Sequence, residues 1–215
     1  MKYKGAIFDL DGTLIDSMPV WGNLGRDYLA SVGVTPPPGI GRTLKTMCLR
    51  EGAEYFINEL HVNRSAQEIM DGIVALLERQ YRESVPIKPH VLPFLTHLWN
   101  IGVSCCAVTA SDHSLAEAAL KRLGILPFFR FILTCGDAGC GKGDPAIFQK
   151  AVQLLDTLAG ETIVFEDALH AIHTAKAAGL AVAAVYDASA ESDGQAIQTA
   201  ADYYLESFAD WGIIP

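Results

Sequence analysis

The chain has 215 residues, of which 50% are hydrophobic and 19% charged, as in an ordinary globular protein with a sizeable core. Its formal net charge of -9 at pH 7 argues against broad electrostatic binding to nucleic acid or to anionic membrane surfaces. No apolar run approaches the roughly 18 residues of a membrane span, and the first one is broken by Asp9, unlike a signal-peptide core. We therefore expect a cytoplasmic protein, either a monomer or a small homo-oligomer.

A short apolar strand is predicted at the start of the chain, over residues 5–8, and helices follow it. Apolar residues at helical spacing predict a first helix from a Ser17 cap to about Gly33. One or two shorter helices are predicted over residues 43–61, and the capping box of Ser65 and Glu68 predicts another to about residue 83. Because no strand pattern occurs between residues 17 and 84, we predict that this block is a helical insert.

From about residue 85, short apolar strands alternate with helices. Strands are predicted over residues 103–108, 131–134, 162–165 and 180–186, with helices over 112–123, 145–156 and 168–178 between them. This alternation is typical of successive βαβ units, so it predicts an α/β fold with a parallel sheet. Residues 203–205 are predicted to add an edge strand. The core would then consist of residues 1–16 and 85–215, interrupted by the insert at 17–84.

Two carboxylates follow the first strand, in the sequence Asp9-Leu10-Asp11-Gly12-Thr13-Leu14. Side chains alternate with period two along a strand, so Asp9 and Asp11 can leave its end toward one common space. Gly12 allows a sharp turn because it reaches positive φ at little steric cost. Two carboxylates about 4 Å apart repel by roughly 4 kcal/mol at an effective dielectric constant near 20. The pair therefore indicates a metal-dependent site.

Chemically active residues also follow the other predicted strands. In an open parallel sheet, ligands bind outside the carboxyl ends of the strands, so these residues are expected to share one site. They are Thr109, Ala110 and Ser111 after the second strand, Lys142 in a glycine-rich loop after the third, and Glu166 and Asp167 after the fourth.

The glycine-rich loop also matches the pattern G-x-x-x-x-G-K of a nucleotide-binding P-loop, over residues 136–142. A P-loop needs Ser or Thr after the lysine to hold magnesium, and this chain has Gly143 there. We therefore disfavour nucleotide binding by this loop.

The order of these motifs resembles that of the haloacid dehalogenase superfamily, in the helical-cap branch of β-phosphoglucomutase and phosphoglycolate phosphatase. The resemblance rests on residues 9–14, Thr109, the Lys142 loop and Phe165-Glu166-Asp167, and it covers nearly the whole chain. It implies a Rossmann-like three-layer core with an inserted all-helical cap domain. It also implies an aspartyl-phosphate mechanism, with Asp9 as nucleophile and Asp11 as general acid and base.

The resemblance further implies a Mg²⁺ ion held by Asp9, the backbone carbonyl of Asp11 and Asp167, with Glu166 acting directly or through water. Residue chemistry agrees, because a phosphate dianion beside so many carboxylates needs Mg²⁺ and Lys142 to offset the repulsion. Thr109 and the amides that follow it, beginning with Ala110, are expected to hold phosphoryl oxygens together with Lys142.

The sequence thus predicts a Mg²⁺-dependent phosphatase of a small phosphorylated metabolite, such as a sugar phosphate. A sugar phosphomutase and a noncatalytic phosphometabolite-binding protein are the alternatives. Trp21 weakens the mutase alternative because mutase relatives carry His at about this place. A dehalogenase is disfavoured because halide displacement needs no proton from Asp11. In the predicted cap, Arg42, Lys45 and Arg50 are candidates for binding distal groups of the substrate.

Overall fold

The computed structural model describes residues 2–44 and 47–215. They form two compact units, one made of the chain up to Asp16 and from Pro86 onward, the other running from Ser17 to Val85. Within the described ranges, no helix has both the length and the apolar character needed to cross a membrane.

The first unit is built on a six-stranded sheet in which all neighbouring strands are parallel, in the order β3-β2-β1-β4-β5-β6. The strands are β1 (Gly5–Phe8), β2 (Ser104–Thr109), β3 (Phe129–Thr134), β4 (Thr162–Glu166), β5 (Ala181–Val185) and β6 (Tyr203–Leu205). The predicted α/β fold with a parallel sheet is confirmed, and the short strand at residues 203–205 lies at an edge as predicted.

Helices of this unit cover both faces of the sheet. They are α5 (Val91–Asn100), α6 (His113–Arg122), α7 (Cys135–Ala138), α8 (Pro145–Leu155), α9 (Leu169–Ala177) and α10 (Gly194–Ala200). On one face, Phe8 of β1 stacks on Phe165 of β4 at a centroid distance of 4.5 Å, and both contact Phe94 of α5. On the other face, Ile7 of β1 belongs to an apolar cluster with residues of α8, α9 and α10. The arrangement is a Rossmann-like core of three layers.

Strand register brings the carboxyl ends of the three central strands together. Phe8 is in register with Ala107 of β2 and with Phe165 of β4. The residues that follow Phe8 therefore emerge between the ends of β2 and β4, the place where an open parallel sheet binds ligands.

The second unit is all helical in its described residues, with α1 (Met18–Ser31), α2 (Ile40–Leu44), α3 (Leu49–Asn58) and α4 (Ala66–Glu83). Tyr28 of α1 stacks on Phe56 of α3, and the indole nitrogen of Trp21 donates to the hydroxyl of Tyr81 on α4 at 2.9 Å. The capping box of Ser65 and Glu68 is confirmed at the start of α4.

One expectation about a helix start was wrong. Ser17 occupies the N-cap position of α1, but its backbone is helical (φ -95°, ψ -16°) and its side chain makes no capping hydrogen bond. Helix α5 was not predicted, because it lacks the usual signal of a capping side chain. Its N-cap residue, His90, has a left-handed backbone (φ 64°) and its side chain makes no capping bond.

We predict that His90→Gly stabilises the protein. A left-handed conformation costs a non-glycine residue about 1 kcal/mol or more, and replacement by glycine removes this cost. Part of the gain in stability is lost because glycine has more conformational entropy in the unfolded chain. His90 is exposed and has φ 64°, so the expected net gain is about 0.5 kcal/mol in the free energy of unfolding, measured by urea denaturation.

His173→Gly is the matched control, because His173 is exposed in the interior of α9. That change should lower the free energy of unfolding by about 0.5 kcal/mol, since glycine is the poorer helix former. A loss of stability in both variants would contradict the interpretation of His90.

Candidate active site

The turn after β1 is pressed against the end of β4. Gly12 has φ 86°, and a Cβ placed on it would lie only 2.5 Å from Oδ2 of Asp167. Thr13, which is buried, donates its hydroxyl hydrogen to Oδ1 of Asp167 at 3.0 Å. The turn therefore needs glycine both for its backbone conformation and for the close approach to Asp167.

A cluster of three buried carboxylates lies at the carboxyl ends of β1 and β4. Asp9, Glu166 and Asp167 each offer an oxygen atom, and these atoms all lie within 4.8 Å of one another. Lys142, also buried, contacts Asp9 through its Nζ and donates to Oε2 of Glu166 at 2.9 Å. The structure thus brings together four of the residues that the sequence assigned to the site.

The electrostatics of this cluster follow from its burial. Burial and the neighbouring Glu166 raise the pKa of Asp9 to about 7, although Lys142 opposes the rise. Burial and the nearby Asp9 likewise raise the pKa of Asp167 to about 7, and burial also raises the pKa of Glu166. Burial would lower the pKa of Lys142, but the attraction of Asp9 and Glu166 outweighs it and raises that pKa. Lys142 is therefore held as an ammonium ion.

One lysine cannot neutralise three carboxylates, so the cluster suits a further cation. Oxygen atoms from carboxylates are the ligands that hard divalent cations such as Mg²⁺ prefer. The side chains of Asp9, Glu166 and Asp167 fit such an ion. The Asp11 carboxylate is not part of this cluster. The prediction that Asp11 binds the metal therefore concerns its backbone carbonyl and not its side chain.

The Asp11 carboxyl is held by Ser111, a residue that follows β2. Ser111 donates its hydroxyl hydrogen to Oδ2 of Asp11 at 2.6 Å, and its backbone N–H donates to Oγ1 of the buried Thr109 at 3.0 Å. Ala110, between them, is exposed. The sequence places Ser111 beside Thr109 but does not predict its contact with Asp11, which joins residues 100 positions apart.

Lys88 was missed entirely by the sequence analysis. Its ammonium group donates to the carbonyl oxygen of Gly12 at 2.6 Å, to that of Tyr186 at 2.6 Å, and to Oδ2 of Asp187 at 3.0 Å. Lys88 belongs to none of the motifs in the sequence, which explains the omission.

The three candidate residues for binding distal substrate groups lie in the helical unit or outside the described residues. Arg42 is exposed on α2, and Arg50 is exposed on α3, where its Nη1 lies 3.9 Å from Oε1 of Glu54. Lys45 lies outside the described residues.

The amino-acid sequence matches a known protein family and is similar to the sequences of named relatives. The profile of the family described as haloacid dehalogenase-like hydrolase matches residues 6–185, a range that includes every residue assigned to the site. Validoxylamine A 7'-phosphate phosphatase from Streptomyces hygroscopicus subsp. limoneus is 29% identical over 182 residues, which are 83% of each chain. Hexitol phosphatase A from Escherichia coli is 29% identical over 193 residues, which are 86% of this chain and 84% of the relative.

Among solved structures, the chain resembles one described as a "putative beta-phosphoglucomutase" from Thermotoga maritima. The TM-score is 0.88 with 22% sequence identity, and the superposition covers 98% of both chains. At this level of identity, the likeness establishes a shared fold.

Proposed function

Because the chain belongs to the haloacid dehalogenase-like hydrolase family and is one of its phosphatases, we propose that it hydrolyses small phosphorylated sugars with Mg²⁺ through an aspartyl phosphate. The substrate class is supported by the names of its relatives. They include the hexitol phosphatase, a phosphorylated carbohydrates phosphatase from Thermotoga maritima and a fructose-1-phosphate phosphatase from Escherichia coli.

The observation that carries the proposal is the contact of Lys142 with Asp9 inside the carboxylate cluster. A carboxylate can attack phosphorus and form a covalent intermediate, which divides one difficult transfer into two easier steps. A phosphate dianion approaching Asp9 would be repelled by Glu166 and Asp167. The buried ammonium of Lys142 reduces that repulsion beside the attacking group, which is electrostatic work central to phosphoryl transfer.

Proton transfer is assigned to Asp11. When Asp9 forms its bond to phosphorus, the bond to the leaving oxygen breaks, and that oxygen takes a proton from Asp11. In the second step Asp11 removes a proton from water, the water oxygen bonds to phosphorus, and inorganic phosphate leaves as Asp9 is regenerated. The hydrogen bond from Ser111 supports this role because it fixes the orientation of the Asp11 carboxyl.

Thr109 is assigned to the phosphoryl oxygens. Its Oγ1 accepts a hydrogen bond from the Ser111 backbone N–H. The Thr109 hydroxyl can therefore donate its own hydrogen to another acceptor, such as a phosphoryl oxygen. Together with the Ala110 amide and Lys142, it would hold the phosphoryl group. The side chains of Asp9, Glu166 and Asp167 and the Asp11 carbonyl would hold Mg²⁺, which when bound neutralises charge on the transferring group.

The proposal is tested by measuring phosphate release from sugar phosphates, hexitol phosphates, phosphoglycolate and nucleotides, with Mg²⁺ and with EDTA. We expect release that requires Mg²⁺ and is at least about tenfold faster, in kcat/KM, for sugar or hexitol phosphates than for nucleotides, a difference of about 1.4 kcal/mol. Conversion of one sugar phosphate into an isomer, without net phosphate release, would instead identify a mutase. Binding without any turnover would identify a noncatalytic binding protein.

A further inference from the structure

Lys88 has all three of its ammonium hydrogens directed at protein acceptors. They point to the carbonyl oxygens of Gly12 and Tyr186, both at 2.6 Å, and to the carboxylate of Asp187 at 3.0 Å. The side chain is only 14% exposed. An ammonium group has three donors and no acceptor, so Lys88 has no donor left for a phosphate. Lys88 therefore links these loops through noncovalent contacts and is not a second cation for binding anions.

The backbone of Lys88 is fixed beside the same turn. Its N–H donates to the carbonyl oxygen of Leu14 at 2.9 Å, and two residues earlier the carbonyl oxygen of Pro86 accepts from the N–H of Asp16 at 2.9 Å. The chain returning from the helical unit thus pairs with the segment that leaves the α/β unit. The side chain of Lys88 then reaches back to Gly12, which follows the predicted acid and base, Asp11.

The contacts of Lys88 join the loops on either side of β4. Gly12 follows β1, and Tyr186 and Asp187 follow β5, whereas β4 lies between these two strands. The end of β4 carries Asp167, which Gly12 approaches closely. Lys88 therefore joins loops on either side of Asp167, while Lys142 contacts the carboxylates Asp9 and Glu166.

Asp187 is ionised in this arrangement. Burial opposes its charged form, yet hydrogen bonds from Ser189 and Lys88 hold its pKa below the usual range. The two side chains consequently form a largely buried ion pair, with 14% of Lys88 and 6% of Asp187 exposed. Such a pair holds its geometry more firmly than an exposed one, because water competes less for its hydrogen bonds.

From these contacts we propose that Lys88 is a positioning residue for the phosphatase reaction. By holding the Gly12 carbonyl against the β5 loop, it fixes the turn that places Asp11 and the backbone beside Asp167. This assignment rests on the proposed function, which names the reaction that Lys88 serves. The effect of Lys88 on the carboxylate cluster is nevertheless measurable without turnover.

The test compares Lys88→Met with the double variant Lys88→Met/Asp187→Asn. Removing Lys88 alone leaves the Asp187 carboxylate buried without its cation, so the single variant loses stability as well as position. Neutralising Asp187 should recover the part of the stability lost through the unpaired carboxylate, without restoring the link to Gly12. We expect kcat to fall about tenfold to a hundredfold in both variants, with KM changed less than about threefold, as for outer residues that orient metal sites.

Mg²⁺ binding, measured by calorimetry, supplies a readout that does not depend on activity. We expect the affinity for Mg²⁺ to weaken about tenfold in both variants. Lys4→Met is the matched control, because Lys4 lies in the same unit and pairs with Glu161 at 2.6 Å but is exposed. It should change neither kcat nor Mg²⁺ affinity by more than about twofold, since exposed pairs contribute little.

The outcomes separate the possible roles of Lys88. If the double variant recovers kcat and Mg²⁺ affinity together with its melting temperature, Lys88 only stabilises the fold and the proposal is wrong. If wild-type protein binds Mg²⁺ but releases no phosphate from any ester, the proposed function fails. The calorimetric comparison then still decides whether Lys88 positions the cluster, and the double variant serves for it if the single variant does not fold.

Discussion

Asp9→Asn is expected to lower kcat for phosphate release by about a thousandfold or more, equivalent to about 4 kcal/mol of barrier. An amide is a far weaker nucleophile than a carboxylate, so the covalent step is lost although the side chain keeps its size. Asp9 is 5% exposed and contacts Lys142, so the amide should occupy the same position. The measurement is phosphate release with Mg²⁺, together with intact-protein mass spectrometry of acid-quenched samples to detect the phosphorylated protein.

Asp210→Asn is a suitable control for this variant. Asp210 is an exposed residue of the same unit, and its carboxylate accepts from the Ser207 backbone at 3.0 Å, remote in sequence from every site motif. It should keep kcat within about twofold of the wild-type value, as expected of a surface change. Phosphate release that survives Asp9→Asn, in protein shown by mass to be free of deamidation, would refute the nucleophile assignment.

The sheet was predictable because its signal is local. Each central strand is a short apolar run that ends at polar residues, and helical periodicity separates one run from the next. Helix α5 was missed because its first residues carry no capping side chain, and its N-cap residue His90 has a backbone that sequence patterns do not reveal. Helix α7 has only four residues, too few for any periodicity to appear.

The site residues also divide into those that the sequence identifies and those whose roles it does not predict. Those carried by motifs, such as Asp9 and Asp167, could be named from the sequence because each directly follows a strand. Ser111 and Lys88 could not be given roles, because their contacts join distant parts of the chain. Ser111 meets a carboxylate 100 residues away, and Lys88 meets acceptors 76, 98 and 99 residues away. Such contacts depend on strand order and register, which no single motif encodes.

The second large effect is expected from Lys142→Met, measured in EDTA. Lys142 is the cation between the buried carboxylates of Asp9 and Glu166. Removing one partner of a buried ion pair leaves uncompensated charge, which typically costs about 3 kcal/mol in the free energy of unfolding. We expect a loss of this size at pH 8 by urea denaturation, and a loss of phosphatase activity of about a hundredfold or more when Mg²⁺ is supplied.

The loss of stability should depend on pH, with a sign set by the carboxyl groups. In the wild type, the pKa values of Asp9 and Asp167 are raised to about 7, well above those of the unfolded chain. The folded state therefore binds more protons than the unfolded state between about pH 4 and 7, and stability falls as pH rises through that range. Lys142 lowers both pKa values, so without it the folded state retains its protons to higher pH, and the stability difference between variant and wild type grows from pH 5 to pH 8.

Two comparisons make the Lys142→Met result specific. Lys150→Met removes an exposed ammonium that donates to the Asp137 carbonyl, and should change stability by less than about 0.5 kcal/mol at either pH. Lys142→Met/Glu166→Gln also removes one buried charge, so it should recover part of the stability at pH 8 while phosphatase activity stays low. A stability loss in Lys142→Met that is equal at pH 5 and pH 8 would mean that the carboxylates are not coupled to this lysine. The electrostatic basis of the proposed site would then be wrong, because charge repulsion among Asp9, Glu166 and Asp167 is what Lys142 offsets.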